Sequence, residues 1–350
     1  MGVSDVLRVG VVGTGIGAVH VEVFGSVPGV EVAGVCSAQL ARAEALASKH
    51  GVPFATDDYR ALLERVDALV IATPPVLHAP MGLAAIAAGK HVFCEKPLAD
   101  SLAAARALRD AARTAGVVHM VNLQLRSAPE YAHAARLVGE GYIGRLAVAD
   151  VRINMNPVDY LRTSLWSDSK AAWFTDAAQA GGLLASSAGP HMLDLLLWLG
   201  GPIVEVAART LVAQPEVELA DGTRTTGISS EDGFLILARY ASGALATLRG
   251  VPVAYHGGGW TLELHGTAGS LATADGTLCG ASDADDELAA LELPQLPDMR
   301  LAIATRFTEA ARAGGPTPAP SFDDGLAIQA VLDASVRAAR SGEWVAVLAG

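Results

Sequence analysis

LRVGVVGTGIGA, residues 7–18, is the stretch on which the fold turns. Residues 7–12 form a short, mostly apolar run that predicts a buried strand. A glycine turn follows at 13–17, and a helix carries on to Phe24. GTGIGA at 13–18 satisfies G-x-G-x-x-G/A, and its place between a strand and a helix gives the motif meaning. Gly13 allows the tight turn, and Gly15 lets the backbone approach a pyrophosphate. Ala18, or Gly17 in a shifted register, lets helix and strand pack closely. The helix N-terminus offers unpaired N–H groups and a positive dipole end to phosphates.

Working outward, apolar strands alternate with helices to about residue 125. Strands are expected at 30–36, 52–55, 66–73 and 117–124, a strand then a turn over 91–97, and helices at 38–49, 58–65, 76–88 and 101–115. Strands alternating with helices imply βαβ units and a doubly wound parallel sheet with helices on both faces. After Arg126 the texture changes. A helix at 128–140 is followed by longer, alternating strands at 146–155, 203–213, 233–240, 243–252, 260–265 and 270–273. Short turns such as ASGA at 241–244 point to a large, open, mainly antiparallel sheet. One apolar helix is expected at 180–199. Residues 274–300 read as an acidic loop, and helices at 301–313 and 324–341 end the chain. The division is therefore a dinucleotide-binding domain at 1–125 and a substrate-binding and oligomerisation domain at 126–350. The helix at 324–341 is expected to pack back on the first.

The chain has 350 residues, 51% hydrophobic and 18% charged, enough apolar material for sizeable cores. Its formal charge of −12 leaves no basic excess to displace counterions, which excludes nucleic acid as the main partner. No apolar stretch reaches about 18 residues, so no membrane span is expected. Cys36, Cys94 and Cys279 form neither a zinc spacing nor a disulfide framework. They read as free thiols in a reducing cytosol, and the expected location is cytoplasmic. No metal-ligand spacing and no nucleophile motif is present.

A carboxylate for the ribose 2′-hydroxyl is expected about 20 residues beyond the turn. That place reads Cys36-Ser37-Ala38, without an acid, and Arg42 follows one turn into the next helix. Ser37 and Arg42 can donate to a 2′-phosphate. The cofactor is thus NAD or NADP, with the balance tilted to NADP.

Four further segments stand in order: VIATPPVLH (70–78), GKHVFCEKP (89–97), NLQLR (122–126) and GGLLASSAGPHMLDLLLWLGG (181–201). With the final FDDGLAIQAVLDASVRAARSGEWV (322–345), the chain resembles the Gfo/Idh/MocA oxidoreductases, the glucose–fructose oxidoreductase and inositol dehydrogenase family. The resemblance implies a Rossmann domain, a second domain with an open sheet, NAD(P), sugar or cyclitol substrates, and homo-dimers or homo-tetramers. Together with the residues already read from the turn and its surroundings (Gly13, Gly15, Ile16, Gly17, Ala18, Ser37 and Arg42), it places the cofactor against Thr73, Pro74, Pro75, Glu95 and Lys96, with His78 open between a ribose contact and a helix cap, and Asn122 between the nicotinamide amide and substrate hydroxyls.

Lys96 matches the family's active-site lysine, whose ammonium stabilises alkoxide character on the reacting hydroxyl. His191 matches the histidine of the family's D-x-x-x-H helix, suited to general acid/base work near neutral pH. Ser187 occupies the usual aspartate position. By spacing it lies one helical turn from His191, on the same face. Asp194, three residues after His191, is an alternative carboxylate, open to an orienting role or to helix packing or capping. Gln124, Arg126, Trp173 and Asp176 are substrate candidates. Arg126 serves either a substrate or a tie between domains. Trp173 and Asp176 lie in an aromatic and acidic segment suited to sugar faces and hydroxyls.

The reaction expected is hydride transfer between the nicotinamide and a secondary alcohol or ketone of a sugar, glycoside or cyclitol. Three alternatives stay open: a biosynthetic keto-sugar reductase, a dehydrogenase of a non-sugar diol, and a cofactor-binding protein without catalysis.

Overall fold

The computed structural model describes residues 6–154, 176–177, 184, 187–218, 222–251, 254, 259–274 and 276–348. The chain divides into two compact units. One comprises Met1–Gln124 with Pro297–Gln329, and the other Leu125–Leu296 with Ala330–Ala349.

In the first unit, strands β1 (Leu7–Val12), β2 (Val30–Cys36), β3 (Ala55–Thr56), β4 (Ala68–Ile71), β5 (His91–Cys94) and β6 (His119–Val121) form one parallel sheet. Their order is β3-β2-β1-β4-β5-β6, the doubly wound arrangement. Helices α1 (Gly17–Gly25), α2 (Leu40–His50), α3 (Tyr59–Leu63), α4 (His78–Ala87) and α5 (Leu102–Ala115) connect the strands. β4 shows why these strands carry no polar side. Ala68 and Val70 join one apolar cluster with Val9, Phe24 and Phe93. Leu69 and Ile71 join another with Leu62, Leu108 and Phe322. Both faces are buried, so every position must be apolar. The strand order reverses between β1 and β4. In such sheets the ligand crevice lies beyond the carboxyl ends of the strands at that point.

A short 3₁₀ helix (Gln124–Ser127) spans the boundary, and the second unit continues with α6 (Pro129–Gly139), β7 (Leu146–Asn154) and α7 (Gly189–Gly200). Then come β8 (Ile203–Leu211), a small hairpin of β9 (Glu216–Glu218) and β10 (Arg224–Thr226), β11 (Gly233–Tyr240), β12 (Leu245–Val251), β13 (Gly259–Gly266), β14 (Gly269–Ala274), β15 (Thr277–Ser282) and β16 (Ala289–Ala290). A last strand, β17 (Val345–Ala346), completes a nine-stranded sheet in the order β16-β15-β14-β13-β7-β12-β11-β8-β17. Only the β7–β12 pair among these is parallel. Burial alternates along β11: Phe234, Ile236 and Ala238 are buried, whereas Leu235 and Leu237 are 47% and 43% exposed. α7 covers the buried face, where the Tyr240 hydroxyl donates to the Leu196 carbonyl at 3.1 Å.

Two helices follow the acidic stretch, α8 (Met299–Ala313) and α9 (Phe322–Ser341). Ile303 and Phe307 of α8 enter the first apolar cluster of the parallel sheet, and Phe322 and Leu326 of α9 enter the second. α9 starts two residues earlier than the apolar spacing predicts. A capping box explains this: the Ser321 hydroxyl accepts from Asp323 N, and the Asp324 carboxylate accepts from Ser321 N.

Residues 274–300 are not a plain loop. Gly276 makes a tight turn at positive φ, and β15 pairs back on β14 with Leu278 fully buried. The small residues of TLCGAS hid an edge strand whose inward side needs only Leu278 and Gly280. Two strands of the parallel sheet are also displaced or shorter than expected, at Ala55–Thr56 and His119–Val121. Among the described residues no helix is long and apolar enough to cross a membrane.

Candidate active site

The turn after β1 is built as its sequence demands. Gly13 has φ +109°, and a Cβ there would collide with the Ala72 carbonyl oxygen. Its N–H donates to the Cys36 carbonyl at 2.9 Å, tying the turn to the tip of β2. Gly15 and Ile16 complete the turn. Ile16, at the cap of α1, supplies no side-chain hydrogen bond, and the first turn, with Gly17 and Ala18, holds no acid. The Ala18 and Val19 N–H groups donate to the Gly15 and Ile16 carbonyls at 3.0 Å, and no side chain competes with an anion for the positive end of the helix. Beside the tip of β2, the Thr14 and Ser37 hydroxyls lie 3.5 Å apart. One terminal nitrogen of Arg42 is buried without a hydrogen-bond partner among the described residues. A turn that admits no Cβ at Gly13 and a buried guanidinium nitrogen fit the pyrophosphate and the adenosine half of a dinucleotide.

Two carboxylates that sequence reasoning did not single out stand near the same place. Cys36 is pushed up to about 11 by burial, and then by the charges of Asp58 and Asp57. Both acids follow β3, whose Thr56 carbonyl accepts from Ser37 N at 3.1 Å. The signal was available in TDD at 56–58, but only the β2–β3 pairing brings it to the tip of β2.

Further along the same edge, Thr73, Pro74 and Pro75 leave β4 and open a 3₁₀ turn at Pro75–Leu77. His78 is completely buried, with Nδ1 2.8 Å from the Pro97 carbonyl and Nε2 2.8 Å from that of Thr73. Burial lowers its pKa against the opposing pull of those two carbonyls. Glu95 follows β5 directly. Its Oε1 lies 2.8 Å from His20 Nε2 and accepts from Asn122 Nδ2 at 2.6 Å, and Oε2 accepts from Lys96 N at 3.1 Å. Burial raises the Glu95 carboxyl, but His20, Lys96 and Asn122 outweigh it and bring it down to about 2. The Lys96 ammonium is lowered by burial, with Glu95 pulling the other way. The Lys96–Pro97 bond is cis. Gln124, three residues past β6, has a buried Oε1 without a partner among the described residues.

In the second unit, α7 carries His191, which is 7% exposed, with its ring 6.3 Å from that of Trp260 on β13. Ser187 is equally buried but lies ahead of the helix. The expected placement one turn below His191 within the helix is thus corrected: α7 begins at Gly189 with Pro190 in its first turn, and proline favours that position. Arg126 is buried and reaches Asp194 through Nε, at 2.9 and 3.1 Å, and through a terminal nitrogen at 2.5 Å. Its guanidinium also stands 5.4 Å from the Trp198 ring. Of the roles open to Arg126 and Asp194, this geometry favours mutual positioning. Asp176 is half-buried, next to Ala177, whose N–H donates to the Ser229 hydroxyl at 3.0 Å. Trp173 lies outside the described residues.

Trp260 and Glu231 are the residues sequence reasoning missed here. Trp260 lies at the start of the strand expected at 260–265, but nothing in its spacing gave it a place beside His191. Glu231 precedes β11, and burial pushes its carboxyl up to about 7. Nothing in SSED at 229–232 signals that burial. Among the described residues no group of three His, Cys, Asp or Glu side chains could hold a metal ion.

Comparison with known proteins fits this construction. The profile described as "Oxidoreductase family, NAD-binding Rossmann fold" matches residues 7–123, and that of the GFO/IDH/MocA C-terminal domain matches residues 131–272. An uncharacterized oxidoreductase of Synechocystis sp. is 30% identical over 98% of this chain and 97% of its own. The levoglucosan dehydrogenase of Pseudarthrobacter phenanthrenivorans is 29% identical over 86% of this chain and 85% of its own. A solved structure of levoglucosan dehydrogenase in complex with NADH superposes with a TM-score of 0.86, at 26% identity, over 98% of this chain and 99% of that one. The chain is a member of the Gfo/Idh/MocA family of NAD-binding oxidoreductases.

Proposed function

We propose that this protein is an NAD-dependent dehydrogenase of a secondary alcohol on a sugar, glycoside or cyclitol, working reversibly. The observation that carries this reading is Lys96, fixed at the carboxyl end of β5 on the same sheet edge as the glycine turn. The relatives named as levoglucosan dehydrogenase and inositol 2-dehydrogenase support the substrate class.

When bound, the nicotinamide supplies the hydride acceptor or donor. The protein's own groups do the rest. The glycine turn and the N-terminus of α1 hold the pyrophosphate. Lys96 donates a hydrogen bond to the reacting oxygen and stabilises negative charge on it as the C–H bond breaks. His191 takes the hydroxyl proton, and returns it in the reductive direction. Ser187 lacks the charge an aspartate would bring, so it acts as a hydrogen-bonding group for substrate. Gln124, Asp176 and Trp173 are further substrate contacts. The cofactor is read as NAD, against the lean of the sequence to NADP. Asp57 and Asp58 bring negative charge to the tip of β2, which disfavours a 2′-phosphate, and a related structure holds NADH. The exposed Leu235, Leu237 and Leu245 on the open sheet face support a homo-dimer or homo-tetramer. Three free cysteines support a reducing, cytoplasmic setting.

The test is a panel of sugars, anhydrosugars and cyclitols with NAD and, separately, NADP, followed by the absorbance of the reduced nicotinamide. Turnover of a secondary alcohol with NAD is expected. Binding of NADH without turnover of any member would favour the cofactor-binding alternative.

A further inference from the structure

Three buried polar side chains from three different elements converge on the tripeptide Glu95-Lys96-Pro97. His20 comes from α1, the helix whose N-terminus faces the phosphates. Asn122 follows β6, and His78 begins α4. All three are more than nine-tenths buried, as is Glu95. His20 and Asn122 share one oxygen of Glu95, and the other oxygen accepts from the backbone N–H of Lys96. The His20 ring is wedged edge-on against Phe93, at 5.7 Å, so it has little freedom to leave. On the far side of Lys96, the His78 ring stands 2.8 Å from both the Pro97 and the Thr73 carbonyls and donates its single N–H to one of them. The Lys96 backbone is therefore gripped before and after the side chain that does the chemistry. Burying this many polar atoms is costly unless each is satisfied, and a satisfied network fixes one geometry.

We infer that Glu95 is a positioning residue for Lys96 rather than a cofactor ligand, locked by His20 and Asn122 on one side and seconded by His78 on the other. Three of the carboxylate's roughly four acceptor positions are taken by protein donors, one of them the Lys96 N–H itself, which is the basis for reading Glu95 as a positioning group. The inference rests on the role of Lys96 proposed above. It adds that α1 and the lysine are mechanically linked through His20.

Glu95 and His78 are the titratable groups of this network that act on Lys96 or feel its charge, and the charge of Glu95 holds the ammonium up. The chain has only four lysines, Lys49, Lys90, Lys96 and Lys170, so the resonance of Lys96 is resolvable. The full-length protein is dimethylated on lysine with ¹³C-formaldehyde, and the Lys96 signal, assigned with Lys96→Arg, is titrated without cofactor or substrate. In Glu95→Gln the Lys96 midpoint is expected to fall by about one pH unit. In His20→Ala, Glu95 loses its main support. The Lys96 signal should then show a second step above pH 4, which in the wild type lies near 2. His20→Gln keeps a donor and is expected to remove most of that step. Asn122→Ala serves the same purpose should His20→Ala not fold.

On a polyol the wild type oxidises, Glu95→Gln should lower kcat by about 10- to 100-fold with NADH affinity unchanged. A Lys96 signal identical in all variants, or a Glu95→Gln defect expressed as lost NADH affinity, would overturn the inference. Should no polyol be oxidised, the proposed function fails while the Lys96 titration still decides the clamp.

Discussion

The two sheets of this molecule solve the same problem in opposite ways. The six-stranded sheet is parallel, buried on both faces, and its strands are apolar at nearly every position. In the nine-stranded sheet one face is covered by α7, the other lies open, and polarity alternates with a period of two. The difference teaches where single residues matter. In the parallel sheet the constraint falls on the crossings at its edge, where backbone meets backbone. In the mixed sheet it falls on every second side chain.

The sharpest way to break that comparison uses one residue type in both places. Gly13→Ala forces a Cβ into the Ala72 carbonyl at a positive φ. A loss of at least about 4 kcal/mol and of NADH binding is expected. Gly243, in the turn between β11 and β12, also has positive φ, but a Cβ there meets nothing within 4 Å. Gly243→Ala should cost only about 1 kcal/mol. Denaturant unfolding and NADH fluorescence check both, and equal costs would contradict the account.

Neighbours on β11 come next. Ile236 is 1% exposed and Leu235 is 47% exposed. Ile236→Ala should cost about 2–5 kcal/mol. Leu235→Ala should stay within about 0.5 kcal/mol at protein concentrations where only monomer is present. Similar values for the two would mean that the open face is not open.

The smallest effects separate the units by pH. In the parallel sheet, burial lowers His119 to about 4 from an ordinary 6.5, and its Nδ1 accepts from Phe322 N. This stability is complete above 6.5 and lost as pH falls through 4, about 3 kcal/mol at most. In the mixed sheet's unit, Glu231 is raised from 4.5 to about 7. Its contribution is complete below 4.5 and lost as pH rises through 7. Denaturant midpoints from pH 4 to 8 should lose the acid limb in His119→Gln and the alkaline limb in Glu231→Gln.

The same contrast explains what could be read from sequence. The parallel sheet was legible because buried strands and a glycine turn leave local marks, and Gly13 and Lys96 sit at those marks. The nine-stranded sheet was legible wherever both alternation and length were present, as in β11. β15 escaped because its inward positions are a leucine and a glycine. Asp57 and Asp58 escaped because their place depends on strand pairing rather than on spacing. Arg126 and Asp194 were each noticed, yet the bidentate pair between them spans 68 positions that no local pattern encodes.

The central proposal is that Lys96 stabilises the charge on the reacting oxygen and that His191 takes the hydroxyl proton. The most direct measurement is kcat of His191→Asn and Lys96→Met on the best polyol of the panel, alongside NADH affinity by fluorescence. Each variant is expected to lose about 10²- to 10⁴-fold in kcat while His191→Asn binds NADH as the wild type does. Wild-type turnover in either variant would contradict it.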